Sequence, residues 1–219
     1  MGKLLLTFLL LASLPLLSQK TEADSLFSKA IDKNIRKYRE ESRKAYRTRD
    51  TERAQFLFDS LVINVVNGTS IDDFKVREFS GRKITLHKFK KPIYLISYAS
   101  WCVPNVGEIP AFNDIAEKNF NEIDFVVLFW GERRKIRKLK RRYSKQVHIL
   151  YIDEKENSND FIIRVMKHSL GFPTSFFISH EKTILDVRRN HLDTYGIEYT
   201  FSFNANYQSY MNGVSLLKK

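Results

Sequence analysis

Cysteine is almost missing from this chain: Cys102 is the one thiol in 219 residues. No disulfide can form within the chain, so its stability must come from an ordinary hydrophobic core. Acid is in short supply as well. Against 37 Lys and Arg stand 25 Asp and Glu, a formal net charge of +12 that favours contact with anionic surfaces. The five histidines (His87, His148, His168, His180 and His191) lack metal-ligand spacing, so neither a metal nor another cofactor is expected. A glycine-rich phosphate loop and a serine nucleophile elbow are missing too. The apolar run Leu4 to Leu17 is short for a membrane-spanning helix, and Pro15 interrupts it.

What is present at the amino terminus is a basic start, Met1-Gly2-Lys3, then that apolar run, then Ser18 and Gln19. The order is that of a signal peptide over residues 1–19, which predicts export to the periplasm or cell envelope. A lone cysteine in an exported chain points to an intermolecular partner or a reactive free thiol. The length suits one full domain plus an accessory element.

Between residues 20 and 67, apolar residues recur at helical spacing. Phe27, Ala30, Ile31, Tyr38, Ala45 and Tyr46 form a narrow stripe. Asp50 resembles an N-cap, and Ala54, Leu57, Phe58, Leu61, Val62 and Val65 form a broader stripe ending at Asn67-Gly68. This predicts an N-terminal helical pair, there for packing or for partner contact. Residues 68–219 alternate short strands with helices, the pattern of an α/β sandwich. Strands are expected over Asp73–Phe79, Lys83–Leu86, Ile93–Tyr98, Phe125–Phe129, His148–Ile152, Thr174–Ile178 and Thr183–Arg188. Helices are expected over Val103–Asn119, Glu132–Tyr143, Asp160–His168 and from Tyr207 to Leu217.

The most telling stretch is Ala99-Ser100-Trp101-Cys102-Val103-Pro104-Asn105, between a predicted strand and a predicted helix. Together with Glu108-Ile109-Pro110 and Gly171-Phe172-Pro173-Thr174, in that order, it resembles the TlpA-like branch of the thioredoxin superfamily, the exported thiol–disulfide oxidoreductases. The resemblance covers Gly68 to about Leu192. It implies a thioredoxin-like fold, a central mixed sheet flanked by helices, here preceded by the helical pair. It also implies a reactive sulfur at Cys102, a cis Pro173 beside it, and a proton-handling acid at Glu108. Trp101, Pro104, Phe172 and Thr174 would shape the substrate groove. The chain departs from the pattern at Asn105, which stands where the second cysteine belongs.

That departure limits the chemistry open to the site. A cysteine at a helix amino terminus gains from the helix dipole, and its thiolate is the nucleophile. The usual exchange cycle needs a second sulfur to release the mixed disulfide. Cys102 can perform the first step alone and needs an outside thiol for the second. Two readings are open. One is an exported monothiol exchange protein acting on protein thiols or disulfides. The other is a redox-inactive binding module that docks an envelope partner. The basic run Arg133 to Arg142 reads as a solvated helix face or a dock for an anionic surface or acidic protein. Nucleic acid is not expected, since no aromatic-studded binding motif accompanies the charge.

Overall fold

The computed structural model describes residues 26–153, 161, 165, 170–189 and 197–219. The expected signal segment, residues 1–19, lies outside the described residues. So does most of the expected helix Asp160–His168, of which Phe161 and Val165 are described, both helical.

Two apolar stripes dictate the first elements. Helix α1 (Phe27–Arg47) buries Phe27, Ile31, Ile35 and Tyr38 along one face. Asp50 then caps α2 (Thr51–Leu61), accepting a hydrogen bond from the Arg53 N–H at 2.8 Å. The helix continues as a π-turn over Val62–Val66 and stops at Gly68, whose φ of 81° suits a residue without a Cβ. The pair folds onto the main body through a core that includes Phe27, Ile31, Phe58, Leu61 and Val62, so its apolar stripes serve packing.

The strands are β1 (Lys75–Glu78), β2 (Lys83–Thr85), β3 (Ile93–Ala99), β4 (Asp124–Trp130), β5 (Val147–Ile152), β6 (Thr174–Ile178) and β7 (Ile184–Arg189). They form one mixed sheet in the order β2-β1-β5-β4-β3-β6-β7. The centre, β5-β4-β3, is parallel, and antiparallel strands extend it on both sides. Strands β3 and β4 are fully buried, which explains their near-continuous apolar sequence. Their alternate residues separate the core into two halves. Ile93, Leu95, Val126, Leu128 and Trp130 face the α1–α2 side. Tyr94, Ile96, Tyr98, Phe125, Val127 and Phe129 face the helices α3 (Glu108–Asn119), α4 (Arg133–Lys140) and α5 (Tyr199–Leu217).

Two helix starts differ most from expectation. The last helix begins at Tyr199, eight residues earlier than the apolar spacing suggests, because Glu198 caps it by accepting from the Thr200 and Phe201 N–H groups. Helix α3 begins at Glu108 rather than near Val103. The residue before a proline is pushed out of the α region, and Val103 is that residue. Gly107 then stands in front of the helix as a poor helix former.

Candidate functional site

The carboxyl ends of β3 and β4 open the site. Ser100 donates its N–H to the Trp130 carbonyl at 3.0 Å, and the Cys102 N–H turns back to the Ala99 carbonyl at 3.0 Å. A Cβ on Gly131 would lie 2.5 Å from Ser100 Oγ, so only glycine lets these two loops touch. From Cys102 to Asn105 the chain is non-helical. Cys102 is therefore not at a helix amino terminus, and the expected dipole assistance is lost. Its side chain is half-buried against the α3–α4–α5 core. Burial pushes the thiol above its ordinary value, and a backbone hydrogen bond with Ala99 offsets this only in part. Trp101 and Val103 on either side are 74% and 79% exposed, whereas Pro104 is buried.

Asn105 has a definite occupation. Its Oδ1 accepts from Ser202 Oγ at 2.6 Å and from Asn206 Nδ2 at 2.9 Å, both on α5 and both buried. Ser202 Oγ also accepts the Gly107 N–H at 3.0 Å. A Cβ on Gly107 would sit 2.2 Å from the Phe203 backbone nitrogen. The position that would hold a second cysteine is thus a polar lock between the Cys102 loop and the last helix. Sequence reasoning misses Ser202 and Asn206. The signal that could find them is a pair of polar side chains at i and i+4 on the face that continues to the buried Tyr210.

Glu108 opens α3 and is 5% exposed. Its Oε2 accepts the Asn105 N–H at 3.1 Å, while Oε1 has no hydrogen-bond partner among the described residues. Burial pushes its carboxyl up to about 7, against smaller lowering effects from the Asn105 backbone and the Arg142 charge. Tyr210 and Tyr143 lie within its field, and both phenols are raised chiefly by burial. At neutral pH this is an acid able to hold or release a proton, placed under the Cys102 loop.

The Phe172–Pro173 peptide bond is cis. Register places it beside the end of β3, since Ser97 pairs with Thr174 across β3 and β6. Thr174 Oγ1 closes the loop on the Gly171 carbonyl at 2.8 Å and is buried. Arg189, at the end of β7, supports the loop from below. Its Nε donates to the Leu170 carbonyl at 2.8 Å, Nη2 to the Tyr38 hydroxyl at 2.6 Å and Nη1 to the Tyr46 hydroxyl at 3.2 Å. Its guanidinium carbon lies 4.1 Å from the centre of the Phe58 ring. One arginine thereby joins the helical pair to the cis-proline loop, a link that sequence does not suggest. The candidate residues consequently lie on three segments, the Cys102 loop after β3, the head of α3 and the cis-proline loop that leads into β6 beside β3. Among the described residues no group of three or more His, Cys, Asp or Glu side chains could hold a metal ion.

No family model matches the chain. Thioredoxin-like protein YneN of Bacillus subtilis (strain 168) is 22% identical over 129 residues, spanning 57% of this chain and 72% of that protein. The structure of a candidate thiol:disulfide interchange protein DsbE from Chlorobium tepidum aligns with a TM-score of 0.52 at 19% identity, covering 69% of this chain and 97% of that one. The thioredoxin domain of a thiol-disulfide oxidoreductase from Bacteroides vulgatus aligns with a TM-score of 0.50 at 11% identity, covering 68% and 98%. Sheet order, flanking helices and these likenesses together show that the chain has a thioredoxin-like fold.

Proposed function

We propose that this is an exported protein of the cell envelope that exchanges disulfides with other proteins through the single sulfur of Cys102. The observation that supports the reading is a half-exposed cysteine three residues beyond the end of β3, with a cis-proline leading into the strand that pairs with β3. In this reading the Cys102 thiolate attacks one sulfur of a partner disulfide. A Cys102–partner S–S bond forms, the partner's own S–S bond breaks, and the departing thiolate takes a proton. A second thiol, from a small thiol or a partner dithiol, then displaces Cys102. Trp101 and Phe172 would shape the approach, whereas Pro104 is buried and does not, and Glu108 would hold the proton near the loop. Because burial raises the Cys102 thiol, exchange is slow at neutral pH and accelerates as pH rises.

A second reading has its own support. The Asn105–Ser202–Asn206 lock commits the second position to structure, and a thiol raised by burial is a weak nucleophile. Both features suit a module that binds an envelope partner without turnover. The test is to incubate the chain with glutathione disulfide over a range of pH and read the intact mass. Growth of a single glutathione adduct with rising pH, lost in Cys102→Ala, supports exchange. A chain that stays unmodified at alkaline pH refutes it and leaves the binding module.

A further inference from the structure

Apart from Arg142, whose charge acts on Glu108, the basic run Arg133 to Arg142 plays no part in the proposed exchange, and the fold gives it a definite arrangement. Ile136 is fully buried and Leu139 packs on the core, so α4 turns its apolar residues inward. Arg133 and Lys140 lie along the Phe79 ring, with the guanidinium carbon at 5.0 Å and the ammonium nitrogen at 5.1 Å from its centre. Lys135 reaches Glu132 at 3.8 Å. Of the other five cations, all exposed, Arg142 acts on Glu108 through its charge, which leaves Arg134, Arg137, Lys138 and Arg141. Their spacing of i, i+3, i+4 and i+7 puts them on one face, and none of them makes an ion pair among the described residues. Like charges so placed repel one another and weaken the helix. An anionic counter-surface would remove that repulsion.

We propose that this outward stripe of α4 is a docking face for a lipid bilayer carrying anionic headgroups. Its composition decides between occupants. Protein interfaces have cores built around apolar and aromatic anchors, beside which an Arg serves as a partner to them. The stripe offers no such anchor, since none of the large exposed apolar residues lies on α4. An array of long cations without an apolar centre matches a diffuse negative surface instead. No described helix is long and apolar enough to cross a membrane, so adsorption would be peripheral and electrostatic. The orientation also has a consequence. Gly131, just before α4, abuts Ser100, so the Cys102 loop sits at the amino end of the docked helix. The proposal is independent of whether Cys102 turns over.

The experiment is sedimentation of the full chain with phosphatidylcholine vesicles, with and without phosphatidylglycerol. Binding is expected only to the phosphatidylglycerol vesicles, and raising salt from about 0.1 M to about 1 M, which shortens screening from ~10 Å to ~3 Å, should abolish it. The variant Arg134→Gln, Arg137→Gln, Lys138→Gln, Arg141→Gln should bind on the order of several hundredfold more weakly, since each of the four cations near an anionic surface contributes roughly a factor of five. A charge-matched control, Lys29→Gln, Arg36→Gln, Lys37→Gln, Arg43→Gln, changes exposed cations on α1 and should bind nearly as the parent does. Equal loss in both variants would mean that net charge alone acts and would overturn the proposal. Binding to polyglutamate or a DNA duplex with none to vesicles would overturn it as well. Thermal melts of both variants check that the fold is retained.

Discussion

Replacing Asn105 by alanine tests the lock between the Cys102 loop and α5. The substitution removes one acceptor, Oδ1, which serves Ser202 Oγ at 2.6 Å and Asn206 Nδ2 at 2.9 Å. Asn206 keeps its bond to the Ser202 carbonyl at 2.7 Å, so its loss is partial. The Ser202 hydroxyl hydrogen, in a residue 1% exposed, loses its acceptor altogether. A buried donor left unpaired costs about 1–3 kcal/mol. Adding a smaller share for Asn206 and for the space left by the amide, the expected loss is about 2–4 kcal/mol. For a chain of this length that is a melting temperature lower by roughly 4–16 °C. The assay is equilibrium urea unfolding of parent, Asn105→Ala, Asn206→Ala and the double variant. Because the two side chains share one bond, the double variant should lose less than the two single losses combined, by about 0.5–3 kcal/mol. Strict additivity, or a loss at Asn105 below about 0.5 kcal/mol, would refute the lock, since surface substitutions alone reach that size.

Glu108 has an ordinary value of 4.5 and a folded value of about 7, so the folded chain holds this proton more tightly than the unfolded one. Its contribution to stability is greatest below about 4.5, falls as pH rises towards 7, and levels off beyond, a difference of about 3 kcal/mol. Glu108→Gln should flatten that part of the stability–pH curve, and an unchanged slope would show that the carboxyl is not buried as described. Arg189→Lys keeps the charge but not the fork that holds Leu170, Tyr38 and Tyr46 together. It should cost about 1–3 kcal/mol and speed hydrogen exchange around Leu170 to Thr174, whereas parent-like protection there would contradict the bridging role. Gly107→Ala drives a Cβ into the Phe203 backbone and should cost about 3 kcal/mol, read as a lower melting temperature and altered near-ultraviolet dichroism of the α5 aromatics. A parent-like melt would mean that α5 is not seated so closely.

Much of the architecture is legible in the order of residues because the relevant signals are local. Continuous apolar runs mark β3 and β4, and register then buries both of their faces. Asp50 announces the start of α2 through the chemistry of its own side chain. The basic run is visible as charge, and helical spacing already turns Ile136 and Leu139 away from the cations. The site is legible as a set of names, Cys102, Glu108 and Pro173, carried by a resemblance over short motifs. Only the tertiary structure decided their state. Whether Cys102 gains a helix dipole depends on where α3 starts, and a contest among Pro104, Gly107 and the packing of α5 moved that start to Glu108. The role of Asn105 depends on Ser202 and Asn206, about a hundred residues away in sequence. The bond from Arg189 to Tyr38 spans 151 positions. Such partners are set by how helices seat on the sheet, and local propensity carries no record of that seating. Composition determined by itself that no disulfide can form within the chain, because one sulfur cannot make one. How strongly that sulfur is held as a thiol was decided by burial, which exists only once the chain has folded.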